Sequence, residues 1–114
     1  MLLRKPDDAN EEQYAVALWR DTRTGVVIRE DWRDERGRPH RVDAPSFIER
    51  DPDTKVLTHE SWSSHGTSHR DDGPSIIKRD GKTGRITFSA HYINDAFIPK
   101  REFKKRRAPS SPSP

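Results

Sequence analysis

Two fifteen-residue blocks of this chain align without a gap at an offset of 29. The first is Gly37-Arg38-Pro39-His40-Arg41-Val42-Asp43-Ala44-Pro45-Ser46-Phe47-Ile48-Glu49-Arg50-Asp51. The second is Gly66-Thr67-Ser68-His69-Arg70-Asp71-Asp72-Gly73-Pro74-Ser75-Ile76-Ile77-Lys78-Arg79-Asp80. Nine positions are identical, far more than composition produces, and self-similarity at a spacing of about 20–50 residues marks a repeat architecture.

The similarity runs outward from both blocks. Trp32 precedes the first, Trp62 the second, and Tyr92 takes the corresponding place after it. Leu18-Trp19-Arg20-Asp21 echoes Ile48-Glu49-Arg50-Asp51, and Thr24-Gly25 echoes Thr83-Gly84. Residues 92–101 read as a decayed further start, with Ala96 in the Gly place, Pro99 in the His place and Lys100 in the Arg place. Three tandem copies are expected, the outer two incomplete.

Each copy has the grammar of a β-hairpin. Asp51-Pro52-Asp53-Thr54, Asp80-Gly81-Lys82-Thr83-Gly84 and the stretch from Thr22 to Gly25 carry turn chemistry. The flanking runs alternate with period 2, as half-buried strands do. Val26, Ile28, Glu30 and Trp32 share one side, as do Val56, Thr58, Glu60 and Trp62, and then Ile86, Phe88, Ala90 and Tyr92. Glu30 and Glu60 interrupt the stripe and read as edge positions or as partners of Arg50 and Arg79. Short connections join six expected strands, at 14–21, 26–32, 46–51, 55–62, 75–80 and 85–93, into an antiparallel meander. Residues 8–19 also admit a helix capped by Asn10, but the echo of Leu18-x-Arg20-Asp21 favours a strand.

Composition limits what such a sheet can bury. Hydrophobic residues make up 29% of the chain and charged residues 36%, with a mean hydropathy of −1.14, so a thin core is expected. The 114 residues leave room for one domain, at 13–99, between a flexible N-terminus at 1–12 and a disordered tail at 100–114. The absence of cysteine excludes disulfide staples and thiolate metal sites and fits a cytoplasmic protein, or a nuclear one in a eukaryotic host. No apolar run reaches the ~20 residues of a membrane helix. Net charge is +3, yet residues 100–107 hold six bases and one acid, so the remainder is net −2.

At Trp62-Ser63-Ser64-His65-Gly66-Thr67-Ser68-His69-Arg70-Asp71-Asp72-Gly73-Pro74-Ser75 the chain resembles MORN-type repeats and the MORN-like antitoxin family. These are hairpin repeats of bacterial, phage and large-virus proteins with the phrase Trp-x-x-x-Gly-x-x-His-Arg-x-Asp-Gly-Pro-Ala. Ser75 replaces the final Ala. The first copy has one extra residue after Trp32 and Ala44 in the Gly place. The resemblance spans about residues 19–101. It implies an elongated, twisted antiparallel sheet used for binding and does not imply catalysis; by family analogy, an antitoxin or phage-encoded inhibitor of a host protein is the role it suggests.

The polar motif residues admit two readings. His40 and His69 with Asp43 and Asp72 would serve as acid–base pairs or metal ligands. Alternatively Gly37, His40, Arg41, Asp43 and Pro45, with Gly66, His69, Arg70, Asp72 and Pro74, shape the loop between hairpins. Recurrence favours the loop role, because catalytic groups need not be duplicated. No catalytic residue, metal site or cofactor is therefore expected, although the five histidines 40, 59, 65, 69 and 91 offer metal-ligating atoms. Trp32, Trp62 and Tyr92 are expected to form an aromatic ladder on one face. Lys100, Arg101, Lys104, Lys105, Arg106 and Arg107 form a candidate contact for nucleic acid or an acidic partner. The leading expectation is a non-catalytic protein-interaction module, binding a partner or itself through the sheet. The rival is a nucleic-acid-associated protein tethered by 100–107.

Overall fold

Three aspartates start three identical turns. In the computed structural model, which describes residues 12–107, Asp21, Asp51 and Asp80 each accept two backbone N–H bonds at Oδ1. The donors are the residues two and three further on. Thr24, Thr54 and Thr83 then accept an N–H at Oγ1. The fifth residue of each turn is left-handed: Gly25 at φ 78°, Lys55 at 66° and Gly84 at 76°. These bonds, led by the N–H groups of Thr24, Thr54 and Thr83, hold all three carboxyls below the usual aspartate range.

The turns join β1 (Ala15–Arg20) to β2 (Val27–Arg33), β3 (Phe47–Arg50) to β4 (Leu57–Ser61), and β7 (Ile76–Arg79) to β8 (Ile86–Ile93). A bulge precedes each turn, at Trp19/Arg20, Glu49/Arg50 and Lys78/Arg79. With β9 (Ala96–Ile98) the hairpins form one antiparallel sheet in the order β1-β2-β3-β4-β7-β8-β9. The small hairpin β5 (Ser63–Ser64) and β6 (Thr67–Ser68) branches from it. The fold is thus the all-β meander expected, in a slab of 55 × 45 × 22 Å, with β5, β6 and β9 added to the six expected strands, and Ala15–Arg20 is strand rather than helix.

Register sorts residues onto two faces. An inner row crosses the sheet as Leu18, Glu30, Ile48, Glu60, Ile77 and Ser89. Ile48 and Ile77 are buried, each contributing about 1.5–3 kcal/mol by leaving water. Between them Glu60 is buried too, and its carboxylate accepts from the Trp62 indole and from Arg79. Glu30 does the same with Trp32 at 2.9 Å and Arg50 at 2.7 Å. The glutamates that interrupt the apolar stripe are therefore fixed anchors for the next unit's arginine.

The aromatic ladder and the decayed copy need correction by one residue. Trp32 and Trp62 lie 30 apart because the first unit has an extra loop residue, whereas the next interval is 29. Trp62 donates to Ser75 O and its own carbonyl receives the His69 N–H, while Tyr92 O receives Arg70 N–H as Ser63 O receives Arg41 N–H. His91, not Tyr92, thus occupies the Trp position. Tyr92 points with Ile86, Phe88 and Ala90 to the outer face, where it meets Phe97. Asp95, not Ala96, takes the Gly66 place, donating to Ser68 O as Gly66 donates to Pro39 O. Asn94 and Asp95 both have positive φ and close the β8–β9 turn, as His65 and Gly66 close β5–β6.

The expected tail boundary also shifts. Residues 100–107 form α1 (Lys100–Arg107) directly after Pro99, with Glu102 in the first turn, where the helix dipole favours an acid. Phe103 is buried with its ring 4.0 Å from that of His91. The expected flexibility of 1–11, the helix reading at 8–11 and the disorder of 108–114 lie outside the described residues.

Candidate functional site

The two motif loops repeat one construction. His40 Nδ1 accepts the backbone N–H of His65, and His69 Nδ1 accepts that of Asn94, each from the tight turn of the following unit. The other ring nitrogen faces a carboxylate: Glu12 at 3.0 Å for His40, Asp71 at 3.2 Å for His69. With Nδ1 accepting a backbone N–H, each ring is fitted to donate from Nε2, so both of its nitrogens are engaged within the fold.

The arginines cap the tryptophans. Arg41 lies 3.6 Å over the Trp32 ring and donates to Pro45 O, and Arg70 lies 3.7 Å over Trp62 and donates to Pro74 O. Asp72 accepts from Arg70 Nε at 2.9 Å. A Cβ on Gly73 would stand 2.8 Å from the Arg70 guanidinium carbon, the far end of a side chain that can give way, and the first loop carries Ala44 at this place under the same arginine stack. Gly37 and Gly66 take left-handed φ, and so does Asp43 at 60°. No ring contact joins Trp32, Trp62 and Tyr92 among the described residues; Trp32 meets Tyr14 edge-on at 5.2 Å.

Both loops border one open groove of about 560 Å³, whose lining includes His40, Arg41, Asp43, His69, Arg70 and Asp72. Six of the ten loop residues singled out in the sequence therefore converge. Beside it, His40 and His65 stack at 3.7 Å, and His65 Nδ1 approaches Asp34 at 2.8 Å. Burial opposes ionisation of Asp34, but bonds from His65, from the Arg38 and Arg36 N–H groups and from the Arg38 guanidinium hold it far below the usual range. Among the described residues no three His, Asp or Glu side chains are grouped to hold a metal ion.

The outer face presents a second row that sequence reading did not single out: Trp19, Arg29, Glu49, His59, Lys78 and Phe88, opposite one another across six strands. Arg29 lies 5.1 Å from the Trp19 ring and pairs with Glu49 at 3.1 Å, while Lys78 lies 5.9 Å from the Phe88 ring. Phe88 is 51% exposed and Trp19 42%. The signal in the sequence was the alternate set of strand positions, where Trp19 and Phe88 stand among charges. On α1, Lys100, Arg101 and Lys104 are exposed, and Lys105, Arg106 and Arg107 follow in its last turn.

Family models, curated proteins and solved structures yield no match to this chain.

Proposed function

We propose that this chain is a non-catalytic protein-interaction module that receives a partner protein on its outer sheet face. The observation that carries this reading is the row from Trp19 to Phe88, with exposed aromatics at both ends and alternating charges between. Aromatic and arginine side chains are what interface centres are rich in. The motif histidines support the same reading, since their Nδ1 atoms are committed to the backbone. The resemblance to hairpin-repeat antitoxins extends it to an inhibitor-like role against a host or partner protein.

The test is affinity capture with the tagged full chain from its native host, beside a Trp19→Ser/Phe88→Ser variant that keeps the wild-type circular dichroism. One protein recovered by the wild type and lost by the variant is expected. Equal recovery by both refutes the reading. A second reading, nucleic-acid association, is favoured by the exposed Lys100, Arg101 and Lys104. It requires salt-sensitive retention of DNA or RNA on a filter that disappears when residues 100–114 are removed.

A further inference from the structure

The repeat places the same strand in three positions, and two of them are covered. β1, β3 and β7 each precede an aspartate turn, with Leu18, Ile48 and Ile77 equivalent and Arg20, Arg50 and Arg79 equivalent. On its far side β3 pairs with β2, and β7 pairs with β4, each time with a glutamate opposite the isoleucine. Among the described residues β1 pairs with β2 alone.

The side chains record the difference. Ile48 and Ile77 are each 5% exposed, but Leu18 is 55% exposed. Arg50 Nη1 donates to Glu30 at 2.7 Å and to Val27 O at 3.1 Å, and Arg79 Nη1 donates to Glu60 and to Leu57 O. Arg20 Nη1 turns back instead onto Gly25 O in its own hairpin. β1 carries few of the devices that blunt an edge: it has six residues, no proline and no charge before Arg20, and its one bulge falls at its C-terminal end, at Trp19/Arg20. The other end of the sheet finishes on the three-residue β9 followed by Pro99.

We propose that the β1 edge receives an extended segment of another polypeptide, antiparallel to β1, with a carboxylate side chain opposite Leu18 and in reach of Arg20. The chain contains two examples of this complex within itself, at β2–β3 and β4–β7. The backbone supplies affinity by strand addition, and the acid selects the register. This inference rests on the protein-binding reading and names the edge, beyond the outer face, where a partner's strand docks.

The probe is a capped peptide copying residues 55–64, the chain's own Glu60-bearing strand, titrated into the full-length protein. Backbone amide shifts should saturate and centre on β1. Replacing the peptide glutamate by alanine, or Arg20→Ala in the protein, should each weaken binding about tenfold, as loss of a charge-assisted bond does. Leu18→Lys, an exposed position that leaves the fold intact, should weaken it as well. Absent binding at millimolar peptide, indifference to these substitutions, or shifts elsewhere overturn the proposal. So do outward-facing β1 amides already protected in the dilute free chain, or a concentration-dependent doubling of mass that protects them, which assigns the edge to this chain itself. A natural partner lost by the Trp19/Phe88 variant but retained by Arg20→Ala removes this inference and leaves the outer-face reading standing.

Discussion

The two faces of the sheet are built from the same strands with opposite use of charge. On the inner face, Glu30 and Glu60 are enclosed by indole N–H and guanidinium groups and lie between Leu18, Ile48 and Ile77. On the outer face, Glu49 and its neighbours Arg29 and His59 pair in contact with water. A polar chain can therefore hold a sheet together without a large apolar core. It buries a few isoleucines and satisfies each carboxylate between them, while the second face presents the half-exposed aromatics Trp19 and Phe88.

The contrast is broken most directly by truncating an apolar residue on each side. Ile77→Ala should cost about 2–4 kcal/mol in urea unfolding, and Phe88→Ala should stay within about 1 kcal/mol. Comparable losses would mean that the outer row is structural. The carboxylates come next. Glu60→Ala strands the Trp62 N–H and Arg79 and should cost about 1–3 kcal/mol, whereas Glu49→Ala, removing an exposed pair, should cost about 0–1 kcal/mol.

The smallest effect is on pH dependence. Burial, with Lys100 and Arg70 adding to it, holds His91 below the ordinary histidine range, and burial together with Lys78 does the same for His59 despite Glu49. The unfolded chain takes up these protons near pH ~6.5 while the folded chain resists them. Their contribution is therefore full above that pH and is lost as pH falls from there toward the folded values. The melting temperature should drop between pH 7 and pH 5, and His91→Phe, which keeps an aromatic ring against Phe103, should lessen the drop without abolishing it. An unchanged slope would show that the ring takes up its proton freely in the folded protein.

Most strands were legible because the local signals agreed. Asp51 and Asp80 with their threonines state the turn, and the alternation beside them states the strand. The pairing of Glu30 with Arg50 and Glu60 with Arg79 was also readable, since an acid in an apolar stripe needs a partner. The third unit was misread because Tyr92 looks like Trp62 although one loop residue fewer separates the later units. A single-residue slip moves every side chain to the other face. The helix at Lys100–Arg107 was hidden by its charge. Phe103 anchors it, and one aromatic residue does not reveal a helix unless His91 is known to lie beneath it.

The sequence by itself determined the three aspartate-turn hairpins and offered arginine partners for their glutamates, because turns and alternation are local and the repeat prints them more than once; the two-residue and three-residue strands β5, β6 and β9 were not legible. Tertiary structure decided which face each residue occupies, that both loop histidines accept a backbone N–H from the following unit, and that Arg20 turns onto Gly25 O where Arg50 and Arg79 reach glutamates. Those outcomes depend on which strand lies next to which, and at β1 on no described strand lying there. That is a property of the assembled sheet, which no window of the chain contains.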